Sequence, residues 1–153
     1  MSNFPIRRLR RLRKTEKIRD LVQEISLSPK DLICPIFVEE GIQTKKQIQS
    51  MPAMERLPLS DIVNEVDAIA ELGIPAVMLF GIPQNKDEQG TSAFVDHGIV
   101  QKTISEIRKN FGDKIVIMAD VCLCQYTSSG HCGLVRDEII DNDSSIATLS
   151  KIA

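Results

Sequence analysis

Tryptophan is absent from this 153-residue chain, tyrosine occurs once, and aromatic residues amount to 4%. Long hydrophobic runs are missing too. The two longest mainly apolar stretches, 75–83 and 115–124, are about 10 residues or fewer, half of what a membrane-spanning helix requires. No apolar segment follows the basic N-terminus, which argues against a secretory signal. Without an export signal, four unevenly spaced cysteines read as reduced thiols or ligands rather than a disulfide framework. What is present, 42% apolar and 26% charged residues, is an ordinary soluble composition, enough for one core of modest size.

Charge is lopsided although the net value is only −2. Residues 1–19 carry eight basic side chains (Arg7, Arg8, Arg10, Arg11, Arg13, Lys14, Lys17 and Arg19) against the single acid Glu16. The rest of the chain holds eleven basic and twenty acidic residues, so +7 faces −9. Such an arm can dock on the acidic body of a neighbouring subunit, stay solvated, or track phosphates. Nucleic acid is the least favoured of the three, because Phe4 is the arm's only stacking group and no nucleic-acid fold follows it. No membrane partner is expected.

Apolar spacing predicts a short arm helix over 15–25, with Ile18, Leu21, Val22 and Ile25 on one face, broken at Ser28-Pro29. Asp31–Val38 is a buried strand by its continuous apolar run, although Pro35 argues against a central place in a sheet. Residues 39–59 are polar and irregular and read as a long loop or a small excursion. A helix over 60–72 follows, capped by Ser60 and stopped by Gly73, with Ile62, Val63, Val66, Ile69 and Ala70 inward. Ala76–Ile82 is a second strand. Residues 97–111 form a helix carrying Val100, Ile104, Ile107 and Phe111, with His97 a solvated or capping residue at its start. Ile115–Leu123 is a third strand, and a last helix begins near Ser144. Strands alternating with helices imply parallel βαβ units. Strand starts at residues 31, 76 and 115 recur about every 40 residues, so a closed eight-fold barrel would need on the order of 320 residues plus the arm. The chain supplies roughly three of the eight units; a free-standing three-stranded α/β domain is the alternative.

The chemistry concentrates at the end of the third strand. Asp120, Cys122 and Cys124 are two residues apart, so on a strand all three point to one side. Seven residues separate Cys124 from Cys132, and Ser128, Ser129 and Gly130 among them permit a turn that brings Cys132 back. Three thiolates with one open position match a catalytic zinc site, and thiolate softness favours zinc over magnesium, calcium or manganese. Three thiolates leave Zn²⁺ a formal −1, suited to binding and orienting an amine or carbonyl rather than to hydrolysis. A redox-sensitive cysteine pair and ordinary half-buried thiols are the competing readings. His131 is a possible fourth ligand or simply a loop residue. Cys34 is a small buried apolar residue.

The segment ADVCLCQYTSSGHCG (Ala119–Gly133) resembles the zinc-binding cysteine motif of the porphobilinogen synthase, or delta-aminolevulinic acid dehydratase, family. RRLRKTEKIRDLVQE (Arg10–Glu24) and DLICPIFVEEG (Asp31–Gly41) resemble that family's arm and first strand. The resemblance implies an N-terminal arm (1–30) and a partial (β/α)8 TIM barrel (31–153), incomplete after about three βα units. It implies the condensation of two 5-aminolevulinate molecules into porphobilinogen with loss of two waters, a lyase step of tetrapyrrole and heme synthesis, in a cytoplasmic homo-octamer. Cys122, Cys124 and Cys132 would hold Zn²⁺, and Asp120 would line the site and handle the substrate amino group or proton transfers. Any Mg²⁺ site would draw on segments outside this chain. The family's two Schiff-base lysines are absent: a lysine of that kind must be neutral near working pH, and the ten here lie on the arm, in loops or on polar helix faces. The expectation is a zinc-holding half-site, inactive alone, that a companion fragment would complete. A small zinc-binding interaction module without catalysis is the alternative.

Overall fold

Hydrophobic side chains spaced for helices and strands sort onto two faces in the computed structural model, which describes residues 10–153. Phe4, Arg7 and Arg8 of the basic arm lie outside the described residues. Within the arm, helix α1 covers Glu16–Leu21, shorter than the apolar spacing suggested, with the Thr15 hydroxyl accepting from the Ile18 amide. Its expected apolar stripe finds no partner among the described residues: Leu21 is 84% and Ile25 81% exposed. A segment this short gains little from backbone bonds alone, so the helix stops where packing does not support it. Ser28 and Asp31 then form a capping box around a 3-10 turn over Pro29–Asp31 that leads into the body.

The body is a five-stranded sheet ordered β2-β3-β1-β4-β5, from β1 (Ile33–Glu39), β2 (Lys46–Gln47), β3 (Glu55–Leu57), β4 (Ala76–Ile82) and β5 (Val116–Ala119). Strands β3, β1, β4 and β5 are parallel, and β2 is antiparallel to β3. The alternation of strand and helix thus gave the parallel βαβ order correctly, while β4 has the expected limits. The region 39–59, expected to be a long loop or a small excursion, adds β2 and β3, so the sheet has five strands where three were expected. These strands hold too few residues to show a period-two pattern.

Strand β1 is central despite Pro35. It pairs with β4 from Ile33 to Glu39, whereas β3 meets it only at Phe37 and Val38. At Pro35 the flank toward β3 therefore carries no ladder, which is where a residue without an N–H is tolerated.

Two helices cover one face of the sheet. Helix α2 spans Ile62–Glu71 and buries Ile62, Val66 and Ile69; α3 spans Ile99–Phe111 and buries Ile99, Val100, Thr103 and Ile107. They close over Ile36, Val38, Val77, Leu79 and Ile115, each such aliphatic side chain contributing about 1.5–3 kcal/mol on burial. Ser60 is not the cap of α2: it lies in a 3-10 turn over Leu59–Asp61 that merges into the helix from Pro58. Gly81 lets α3 approach β4 closely, since a Cβ there would sit 2.5 Å from Val100 Cγ2 and 2.8 Å from Ile99 Cγ2. The opposite face, with Phe37, Met78, Phe80, Ile82 and Met118, is only half-covered.

After β5 the chain makes a loop, a small hairpin of β6 (Val135–Arg136) and β7 (Ile139–Ile140), and helix α4 (Asn142–Ile152). The hairpin was not anticipated. Asp141 caps α4 by accepting from the Ser144 amide at 3.3 Å, so the helix begins at Asn142, two residues ahead of the expected start. Among the described residues no helix is long and apolar enough to cross a membrane.

Candidate metal centre

Strand β5 ends at Ala119, short of the expected Leu123. Asp120 still donates its amide to the Leu79 carbonyl at 3.2 Å, and the chain then leaves the sheet. Cys122 and Cys124 are therefore loop residues, and strict strand alternation is not what aims them. A turn does it: the Tyr126 and Thr127 amides both donate to the Leu123 carbonyl at 2.9 Å, rolling the loop around a fully buried Leu123. The expected second turn is present. Gly130 has a φ of +71°, a left-handed conformation that glycine adopts without steric cost, and its amide donates to the Thr127 carbonyl.

Together these turns bring the three sulfurs of Cys122, Cys124 and Cys132 within 4.8 Å of one another, with Cys122 and Cys124 3.3 Å apart. Among the described residues this is the one group of three or more metal-ligating side chains so gathered. Tetrahedral zinc with thiolates at about 2.3 Å sets its sulfurs about 3.8 Å apart, a spacing that sulfurs gathered within 4.8 Å can take up with small side-chain adjustments. The donor set fits a soft divalent cation. Cys122 and Cys124 are half-buried, while Cys132 is exposed. The exposed His131 is not part of the cluster, and His97 is exposed in the turn before α3. Cys34 lies half-buried in β1, away from the loop.

Crowding of thiols separates their acidities. Burial pushes the Cys122 thiol up, but hydrogen bonds from the Cys124 amide and from the Cys124 and Cys132 thiols outweigh it and leave it below the usual thiol value. Cys124 is pushed up to about 12, by burial first and then by its sulfur neighbours. Cys132 is raised chiefly through its hydrogen bond to, and repulsion from, Cys122. Tyr126, buried beneath the loop, is pushed up to about 12 by burial and then by the charges of Asp120, Cys122 and Cys124. Mutual repulsion thus disfavours three thiolates at once in the metal-free cluster, and a bound cation is what would stabilise all three.

Asp120 is half-buried, and its carboxylate accepts from Gln125 Nε2 at 2.7 Å. Gln125 and Cys124 also line a cavity of about 410 Å³ on the open sheet face, floored by Phe37, Phe80 and Ile82 and rimmed by Arg56 and Lys86. The sequence alone gave no role to Gln125, Arg56 or Lys86. They belong to distant segments, and only the short strands of the 39–59 excursion bring Arg56 alongside. Arg56 is held by Glu39, which accepts from it at 3.0 Å and from Lys46 at 2.9 Å. All ten lysines are exposed, so none occupies a dry environment of the kind that makes a lysine nucleophilic.

The family model described as Delta-aminolevulinic acid dehydratase matches residues 6–153. A Bacillus subtilis protein named delta-aminolevulinic acid dehydratase is 49% identical over 146 residues, covering 95% of this chain and 45% of the relative. One of the same name from Methanothermus sociabilis is 47% identical over 150 residues, covering 98% of this chain and 46% of the relative. The chain spans about half the length of the curated relatives it matches. Among solved structures, the Toxoplasma gondii delta-aminolevulinic acid dehydratase (porphobilinogen synthase), in complex with the reaction product porphobilinogen, superimposes with a TM-score of 0.89. It is 35% identical, and the match covers 95% of this chain and 42% of that one.

Proposed function

Because this chain belongs to the delta-aminolevulinic acid dehydratase family, we propose that the protein to which these residues belong condenses two molecules of 5-aminolevulinate into porphobilinogen with loss of two waters. The convergence of the Cys122, Cys124 and Cys132 sulfurs carries this reading. These residues would hold Zn²⁺ and leave one position for a small molecule. Zinc so held would supply a Lewis acid that binds and orients an amine or carbonyl.

The chain's own groups prepare the rest of the site. Asp120, oriented by Gln125, accepts a proton from the substrate amino group. The apolar floor of Phe37, Phe80 and Ile82 offers the substrate's carbon chain a surface to lie on, and the Arg56 and Lys86 cations at the cavity rim attract the substrate carboxylate. No lysine here is placed to form a Schiff base, so these residues are the metal-holding part and make no porphobilinogen by themselves. The reaction is a lyase step of heme synthesis, assigned to the cytoplasm. Any Mg²⁺ belongs to segments outside these residues.

Architecture supports the same assignment. Parallel strands with helices on one face and large side chains on the other match the first βα units of a (β/α)8 barrel, whose interior those side chains would fill. Residues 31–153 are assigned to that barrel. Residues 1–30 are assigned to an arm whose uncovered apolar stripe docks on a neighbouring subunit of a homo-octamer. The alternative, a zinc-binding interaction module, would need His131 as fourth ligand, and His131 is outside the cluster.

Two assays test the proposal. Elemental analysis of the purified chain after zinc loading and desalting is expected to give one zinc per chain, lost on replacing all three cysteines by alanine. Porphobilinogen is expected only when a companion chain carrying the remaining barrel segments is added. Zinc retained by the triple variant, or product formed by this chain alone, overturns the assignment.

A further inference from the structure

Thr127 lies between the two halves of the cysteine cluster and is 1% exposed. Its hydroxyl stands 3.1 Å from the Leu123 carbonyl and 3.1 Å from the His131 carbonyl. Leu123 is the residue between Cys122 and Cys124, and His131 directly precedes Cys132. One side chain therefore bridges both segments that deliver the sulfurs.

The two acceptors differ in need. The Leu123 carbonyl already accepts from the Tyr126 and Thr127 amides. The His131 carbonyl has the Thr127 hydroxyl as its only donor among the described residues. A hydroxyl has one proton to give, so its distinctive contribution is the tie to His131. Cys132 needs such a tie: it is exposed, it follows the left-handed Gly130, and its sulfur must stay beside two half-buried partners. The Thr127 segment is itself anchored, because Asp87 donates its amide to the Tyr126 carbonyl at 3.3 Å and accepts from the Ser128 amide at 2.9 Å.

We propose that Thr127 is a positioning residue of the metal centre, its shared hydroxyl holding the Cys132 segment in register with Cys122 and Cys124 so that the three sulfurs are gathered before a metal arrives. The inference rests on the reading of these cysteines as zinc ligands. Preorganisation of this kind lowers the ordering cost of binding, and groups that orient metal ligands are worth roughly 10–100-fold in affinity.

The test measures zinc affinity of this chain by competition with a chromophoric chelator, and records the absorption spectrum of cobalt(II) bound in place of zinc. T127V keeps the shape and the methyl that faces Gly90 but loses the hydroxyl; T127S keeps the hydroxyl. T127V is expected to bind zinc roughly tenfold more weakly, at the lower end of the range for such groups, with an altered cobalt spectrum, while T127S stays close to the parent. If T127V does not regain the parent's circular dichroism, T127A against T127S isolates the same hydroxyl on a smaller side chain. Affinity unchanged by loss of the hydroxyl overturns the proposal, as does equal weakening in the hydroxyl-bearing variant. A lower metal-free melting temperature with unchanged affinity and cobalt spectrum also overturns it, leaving Thr127 a structural role. A parent chain that binds no zinc refutes instead the assignment of the cysteines.

Discussion

Phe37 on β1 and Phe80 on β4 are register partners whose rings stack on the open face of the sheet, centroids 5.0 Å apart and planes 20° from parallel. They form the floor of the cavity beside Cys124. Phe80→Ala removes the stack without touching a sulfur. Its floor is half-buried, so the expected loss is about 2 kcal/mol, below that for a fully buried ring. Urea denaturation should show this loss while zinc stoichiometry stays at the parent value.

Gly81 is a point of close helix–sheet approach beside the site. A Cβ there would meet Val100 and Ile99 side chains and lie 3.0 Å from the Tyr126 hydroxyl. Gly81→Ala is expected to destabilise by roughly 1–3 kcal/mol through overpacking. Because Tyr126 lies in the cysteine loop, zinc binding should weaken as well. Thermal melting with and without zinc measures both effects; a variant as stable as the parent contradicts the packing described.

Metal removal should be legible in stability. A ligand that binds only the folded chain adds about 2.7 kcal/mol at a free concentration one hundred times its dissociation constant. Zinc should therefore raise the melting temperature, and a chelator should reverse the rise. The triple cysteine-to-alanine variant should melt at one temperature under both conditions.

Glu39 gives the body a defined acid response. Burial acts to raise its carboxyl, but hydrogen bonds and charge from Lys46 and Arg56 prevail and hold it below the usual carboxylate value. With the folded value depressed, the unfolded chain binds the proton more readily, so this contribution is complete above the ordinary carboxylate range and fades as pH falls through the folded value. Glu39→Gln should lower stability near neutral pH and flatten the acid side of the stability profile. Parallel profiles for parent and variant would count against the pairing. The variant should also loosen Arg56 at the cavity rim.

Gln125→Ala separates Asp120 from the metal cluster. Loss of the 2.7 Å hydrogen bond to the carboxylate should leave zinc affinity near the parent value. In the assembly completed by a companion chain, it should lower porphobilinogen formation roughly tenfold, the lower end of what a positioned acid or base contributes. Weakened zinc binding with unchanged turnover would be the opposite of this expectation.

Amino-acid order alone determined the features that depend on local spacing. The Ala76–Ile82 run fixed β4, helical spacing of Val66, Ile69, Val100 and Ile107 marked the covered face, and the Cys-x-Cys-x7-Cys pattern with Gly130 foretold a loop able to gather three sulfurs. Tertiary structure decided what local pattern cannot hold. It made β2 and β3 strands because β1 had an edge to offer, kept Pro35 central because β3 does not reach it, and left the Ile18–Ile25 stripe uncovered for want of a partner among the described residues. It ended β5 at Ala119, so turns through Leu123 and Thr127 aim the cysteines. It also brought Arg56, Lys86 and Gln125 around one cavity. A pattern of side chains reports which face is apolar, whereas pairing and long-range hydrogen bonding depend on neighbours remote in the chain.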